Sequence, residues 1–293
     1  MKLVLLILVM LQVSVCRSQT LAEMKNEYES LLSKKYILLP HKGTYLNPIS
    51  YNDNPNHKSY QQLTDNPKYG DRGAFNKNLE TEFQISFLVL ASSNIFGSKI
   101  NTFLGYTHHA FWQLYNKEWS RPFRETNYMP EFFGRYILEK PSDFLGIKLL
   151  AYDFGIVHES NGQIQELSRS WNRVFVRGVF LSGRTLLRLS LWHRLPESEE
   201  NDENPNIYQF KGYGELDIVY KFDRENISLK LIPGTEHLSA EFAMSTPWRE
   251  GLRFYSKLSH GYGLSLQDYD HQNRKFGIGI ILADPFSSKP KTN

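Results

Sequence analysis

Lys148-Leu149-Leu150-Ala151-Tyr152-Asp153-Phe154-Gly155-Ile156-Val157-His158-Glu159-Ser160 is the stretch whose reading decides the fold. Its even positions are Leu150, Tyr152, Phe154, Ile156, His158 and Ser160, while the odd ones include Ala151, Asp153 and Gly155. Successive side chains of a β-strand point to opposite faces, so a strand here has one greasy face and one that is small or charged. The same split recurs downstream. Val174, Val176 and Phe180 oppose Arg173 and Arg177, and Leu187, Leu189 and Leu191 oppose Arg184, Arg188 and Ser190. Leu216, Ile218, Tyr220 and Phe222 oppose Glu215, Asp217 and Lys221. Ile227, Leu229 and Leu231 oppose Ser228 and Lys230, and Leu252, Phe254 and Leu258 oppose Arg253 and Lys257.

Alternation of this kind also suits an exported soluble sandwich, so other features must choose. The segments run to about ten residues, enough to cross hydrocarbon when tilted. Tyr106, Trp112, Tyr128, Trp192, Tyr220 and Trp248 fall near their ends, where a membrane interface favours aromatic rings. Aromatics make up 14% of the chain while its mean hydropathy is only -0.45, a combination that strands with one oily and one wet face explain. Residues 1–18 read as a secretory leader, with Lys2 ahead of the apolar run Leu3 to Val15 and the small residues Cys16 and Ser18 after it. Beyond the leader no run of about 18 apolar residues occurs, which leaves a closed barrel as the membrane-spanning option. Cys16, the sole cysteine, stands at the leader's edge, so neither a disulfide nor a thiol nucleophile is expected, and Val13-Ser14-Val15 is a poor context for lipid attachment. The net charge of +3 is spread over scattered basic residues, which argues against nucleic acid as a partner.

The expectation is an all-β transmembrane antiparallel barrel of about twelve strands. Residues 19–80, rich in Asn, Lys, Tyr and Pro and without sustained alternation, form a polar periplasmic extension. Residues 81–286 form the barrel, and 287–293 a flexible tail. Strands are expected to begin at about residues 83, 101, 128, 147, 170, 184, 212, 226, 237, 250, 260 and 274. The acidic stretch Pro196 to Asn206 belongs in an extracellular loop, because its carboxylates cannot lie against acyl chains. Arg124, Glu125, Arg173 and Arg177 are expected to pair inside the lumen.

His158 and Ser160 are two residues apart, so on a strand they share a face with about 7 Å of backbone between them. A serine needs a base to take its proton, and the imidazole needs a group to fix its tautomer. Asn172 shares parity with Val174 and Val176 and emerges on the same oily face. A neutral amide can orient the ring without setting a full charge against lipid. A histidine at headgroup height could equally be a simple interface residue. His108-His109 cannot chelate one ion together, because neighbours on a strand face opposite ways.

Several motifs resemble outer-membrane phospholipase A. They are Trp112-Gln113-Leu114-Tyr115-Asn116, Ser120 to Tyr128, His158-Glu159-Ser160-Asn161-Gly162, Ser168 to Arg173, and Gly261 to Tyr269. The similarity runs over roughly residues 35 to 286. The resemblance implies a twelve-stranded barrel, active as a calcium-bound homodimer at the outer leaflet, that cleaves phospholipid acyl esters at both glycerol positions and acts on lysophospholipids. It implies Ser160 as nucleophile, His158 as general base and Asn172 as the group that orients it. For Ca2+ it implies the Ser168 hydroxyl and Gln163 carbonyl from one subunit and Ser120 from the other, with a bound water and the Ser160 amide as oxyanion hole. The chain departs from the family where His108 replaces a glutamine at the dimer face, where Glu159 replaces aspartate, and where seven residues follow Phe286.

Overall fold

The computed structural model describes residues 30, 32, 38–59, 76–118, 120–163 and 167–282. The expected leader and tail lie outside them. Among the described residues the strands are β1 (Leu39–Pro40), β2 (Thr44–Asn52), β3 (Leu79–Ser92), β4 (Ile100–Trp112), β5 (Phe123–Phe144), β6 (Ile147–Ser160) and β7 (Ser170–Ser182). They continue with β8 (Thr185–Arg194), β9 (Gly214–Lys221), β10 (Asn226–Pro233), β11 (Leu238–Arg249), β12 (Leu252–Gly261) and β13 (Asn273–Leu282). One short helix, α1 (Ile207–Lys211), lies between β8 and β9. Each strand from β2 to β13 pairs antiparallel with its sequence neighbours, and β13 pairs with β2, so twelve strands close a barrel. The two-residue β1 adds to β3 beyond the end of β2.

The strand number matches the expectation, but two members differ. Thr44–Asn52 lies inside the stretch read as an irregular extension, yet it is the strand that closes the barrel against β13. Its alternation is broken by Pro48 and by a register shift between Asn47 and Ser50, so Leu46, Ile49 and Tyr51 share the outside without keeping one parity. The segment expected near residue 260 is not a separate strand. There β12 ends at Gly261, and residues 262–272 form a turn-rich loop.

The faces follow the expected phase. Tyr152, Phe154, Ile156, Val174, Val176, Leu189, Leu191, Phe254, Leu258 and Ile278 are exposed on the outer wall. Asp153, Glu159, Arg173, Arg177, Ser190, Arg253 and Lys257 are buried in the lumen. Buried ions require partners there. Arg177 bridges Glu131 (3.2 Å) and Asp153 (3.3 Å), and Lys275 meets both Glu80 and Glu82 at 2.9 Å. Arg124 meets Glu80 (3.0 Å) and Asp268 (2.7 Å). Arg124 and Glu125 are both buried although adjacent, because a register shift opposite Phe111 and Trp112 inserts an extra residue on β5. Trp192 corrects the aromatic belt: it turns inward, packs edge-on against Trp171 and donates its indole N–H to the Gly212 carbonyl at 2.9 Å.

Two apolar clusters close the lumen. Leu39, which precedes β2 at the short-turn end, packs across the lumen with Leu88, Phe103, Phe133, Val157 and Phe175. At the other end α1 and the 262–272 loop set Ile207, Phe210, Leu266 and Tyr269 over Trp171. Short connections at residues 145–146, 183–184, 222–225 and 250–251 lie at the first end, together with the start of β2 and the end of β13. The described parts of the longer connections, at residues 53–59, 76–78, 113–118, 120–122, 161–163, 167–169, 195–213 and 262–272, lie at the second.

Ile278→Arg sets a guanidinium near mid-height on the outer wall, where Ile278 is 47% exposed. The substitution is expected to cost about 2–4 kcal/mol in urea-titrated folding into lipid vesicles, whereas the same titration in a detergent with charged headgroups should narrow the gap.

Candidate active site

The site is built where β6 and β7 leave the barrel at the long-loop end. Their register places Asn172 directly opposite His158 and Ser170 opposite Ser160. Directly opposed residues stand about 5 Å apart at Cβ, close enough for side chains to meet. His158 Nδ1 and Asn172 Oδ1 are 2.9 Å apart, with the ring N–H donating to the amide oxygen. On the other side of β6, Tyr128 pairs with Ser160, and that register carries Pro130 opposite His158. His158 is exposed, and Ser160 and Asn172 are partly so, on the same wall as Ile156 and Val174.

Ser160 ends its strand and is held from the following turn. Its Oγ accepts the Gly162 N–H at 3.1 Å, which fixes the oxygen and leaves the hydroxyl hydrogen free to be given up. Gly162 has φ +63, and a Cβ there would stand 2.8 Å from the Tyr128 ring, so both backbone and space demand glycine. No hydrogen bond joins His158 to Ser160 among the described residues. Catalytic contacts of this kind commonly tighten only when substrate is bound. The arrangement thus supplies a formed His–Asn pair and a hydroxyl on the same face two residues along.

Asn161, one residue on, faces inward and is buried. Its amide donates to the Leu167 carbonyl (2.8 Å) and to Gln267 (3.1 Å), and its oxygen accepts the N–H groups of Gln163 (3.2 Å) and Arg169 (3.0 Å). One side chain therefore braces both ends of the loop that carries Gln163 and Ser168. Asn161 was visible in the motif, but nothing in its spacing announced this role. Glu159, which stands where the family has aspartate, has a role that its position in the motif does not announce either. It accepts from Trp171 Nε1 (2.9 Å), Arg173 (2.7 Å) and Lys211 (2.9 Å), and Arg173 stacks 3.7 Å over the Trp171 ring. This buried cluster locks β6, β7 and α1 beneath the exposed pair.

The expected calcium ligands fall into two places. The Gln163 carbonyl and Ser168 hydroxyl lie in the braced β6–β7 loop, whereas Ser120 sits on the β4–β5 loop, with left-handed φ of 55 at Ser120 and 53 at Arg121. No hydrogen bond joins Ser120 to Ser168 among the described residues. Hydroxyl and carbonyl oxygens are neutral hard donors of the sort calcium accepts, so Gln163 and Ser168 fit one part of a shell. Among the described residues no three His, Cys, Asp or Glu side chains gather to hold a metal. His108 and His109 face opposite ways, His108 against Phe83 and Tyr128 outside and His109 toward Glu82 (3.0 Å) inside.

The phospholipase A1 family model matches residues 21–282. The chain belongs to that family. It is therefore an ester hydrolase acting on phospholipid, and its wall is that of an outer-membrane barrel. Phospholipase A1 of Proteus vulgaris is 32% identical over 275 residues, covering 92% of this chain and 88% of the relative. An outer membrane phospholipase A structure from Escherichia coli, an active-site mutant with an asparagine changed to alanine, superimposes with TM-score 0.78 at 29% identity, covering 87% of this chain and 95% of the other. The Salmonella typhi outer membrane phospholipase, a dimer with bound calcium, gives TM-score 0.79 at 29% identity over 88% and 97%. In this phospholipase, Glu159→Ala would strand Arg173 and Lys211 in the lumen. Denaturant unfolding should show a loss of about 3–5 kcal/mol, with the circular dichroism of the folded barrel retained.

Proposed function

We propose that Ser160, His158 and Asn172 hydrolyse phospholipid acyl esters at either glycerol position, and those of lysophospholipids, in a calcium-dependent reaction at the outer leaflet. The observation that carries this reading is the 2.9 Å bond between His158 and Asn172, made on the lipid-facing wall two residues from a serine hydroxyl. The E. coli mutant adds support, since its altered active-site residue is an asparagine.

The chemistry follows from the groups present. With Nδ1–H donated to Asn172, His158 Nε2 is the acceptor, and it takes the Ser160 proton as Oγ attacks the ester carbonyl. The tetrahedral adduct collapses by breaking the bond to the glycerol oxygen, which receives the proton from His158. A water molecule, deprotonated by the same nitrogen, then releases the acyl group as fatty acid and restores Ser160. Negative charge on the carbonyl oxygen is met by the Ser160 N–H. Calcium, when bound, would supply a polarised water as a second donor to that oxygen. Gln163 and Ser168 would hold it from one subunit and Ser120 from a second copy. The placement of Ser120 and Ser168 on different connections is compatible with a shell shared across a homodimer, and the calcium-bound dimer of the Salmonella typhi protein supports it.

The orientation rests on loop lengths. Outer-membrane barrels keep short turns in the periplasm and long loops outside. The site stands at the long-loop end, so its ester-level height belongs to the outer leaflet. The lumen, crossed by ion pairs and closed by the Leu39 and Trp171 clusters, does not favour a pore.

Ser160→Ala should abolish fatty-acid release from phospholipid micelles by refolded protein, and a calcium chelator should do the same to the unaltered chain. Release that survives both treatments would overturn the reading.

A further inference from the structure

The β8 chain does not stop at its last strand residue. The Leu195 N–H donates to the Asn172 carbonyl at 2.8 Å, and two residues on the Glu197 side chain reaches the Asn172 amide. Asn172 Nδ2 donates to Glu197 Oε1 at 3.2 Å. The other carboxylate oxygen accepts from Arg194 Nη2 at 3.3 Å. Arg194 is itself fixed by Asp202 (2.5 Å) and by the side-chain and backbone oxygens of Asn204 (both 3.0 Å). Glu197 and Arg194 side chains are only 18% and 16% exposed, so the chain of contacts lies inside the loop.

The two ends of an asparagine amide are alike in shape and opposite in chemistry. With its oxygen toward His158, Asn172 accepts from Nδ1–H and leaves Nε2 bare for the serine proton. With its nitrogen toward His158, it would favour the other tautomer, with the proton on Nε2 and nothing to take the serine's. A carboxylate can only accept, so Glu197 admits the amide nitrogen and excludes the oxygen. Arg194 offsets the charge of the carboxylate, which lets an ion stand at the edge of lipid. We propose that Glu197 is a positioning residue of the hydrolytic site, which sets the amide orientation of Asn172 and through it the tautomer of His158. This rests on the reading of Ser160, His158 and Asn172 as the hydrolytic group.

The experiment measures kcat and KM on phospholipid micelles, with saturating calcium, for the unaltered chain, Glu197→Ala, Glu197→Gln, Asn172→Ala, the Glu197→Ala/Asn172→Ala pair and Ser160→Ala. Loss of one orienting hydrogen bond predicts that Glu197→Ala lowers kcat about tenfold with KM unchanged. Glutamine can still accept through its oxygen, so Glu197→Gln should stay within about threefold of the unaltered chain. On the Asn172→Ala background, Glu197→Ala should cost nothing more, because there is no amide left to orient. The proposal is overturned if the double variant loses the product of the two single losses, if Glu197→Gln is as slow as Glu197→Ala, or if Glu197→Ala alters KM alone. Failure of the underlying reading looks different: Ser160→Ala and Asn172→Ala would then keep full activity, whatever Glu197 does.

Discussion

Side chains on a strand cannot all face one way, and the whole molecule is organised around that constraint. Along β6 it sends Tyr152, Phe154 and Ile156 outward and Asp153 and Glu159 inward. The outer row needs oil and the inner row needs counter-ions, so each environment enforces the other's register. A shift by one residue would turn every charge of the strand into the bilayer. The polar pair His158 and Asn172 continues the outer row past its oily part, which is how the proposed site comes to lie on the wall of a barrel rather than in its lumen.

The lumen's ions do not by themselves make the barrel stable. Each buried pair recovers in attraction little more than it gave up in hydration, and an apolar filling could do as well. What they secure is a defined geometry. Glu159 gathers Trp171, Arg173 and Lys211, and thereby fixes β7 against β6 directly behind the exposed His158 and Asn172. Asn161 does the same for the loop above. The proposed reactive groups stand on the lipid-facing wall, while the strands that carry them are clamped from the other side.

Most of this was legible where alternation is regular. From β6 to β8 and in β12 the phase read from the residues is the phase observed, because a two-sided environment leaves no other solution. The same logic brought Asn172 onto the face of His158. It failed at β2, where Pro48 and a bulge displace Leu46 and Ile49 from strict parity, and near residue 260, where Tyr262 and Leu264 imitate a strand but belong to a loop. It failed again for Trp192, whose aromatic ring suggested the interface but whose even position on β8 faces inward. The contributions of Glu197 and Asn161 were out of reach for a different reason: both act through loop geometry, and loop geometry has no period to read. Glu197 was counted among acids that must avoid lipid, which is true and says nothing of the amide it meets.

On the proposed mechanism, the Ser160 nucleophile is approached from the bilayer and not from the lumen. The direct test is to reconstitute the protein in vesicles with a phospholipid analogue that carries a serine-reactive phosphonate in place of the ester, and to map the adduct by peptide mass spectrometry. The expected result is a single adduct at Ser160 that disappears with His158→Ala. An adduct on a lumen-facing serine such as Ser190, or labelling of Ser160 only by a water-soluble reagent, would contradict it.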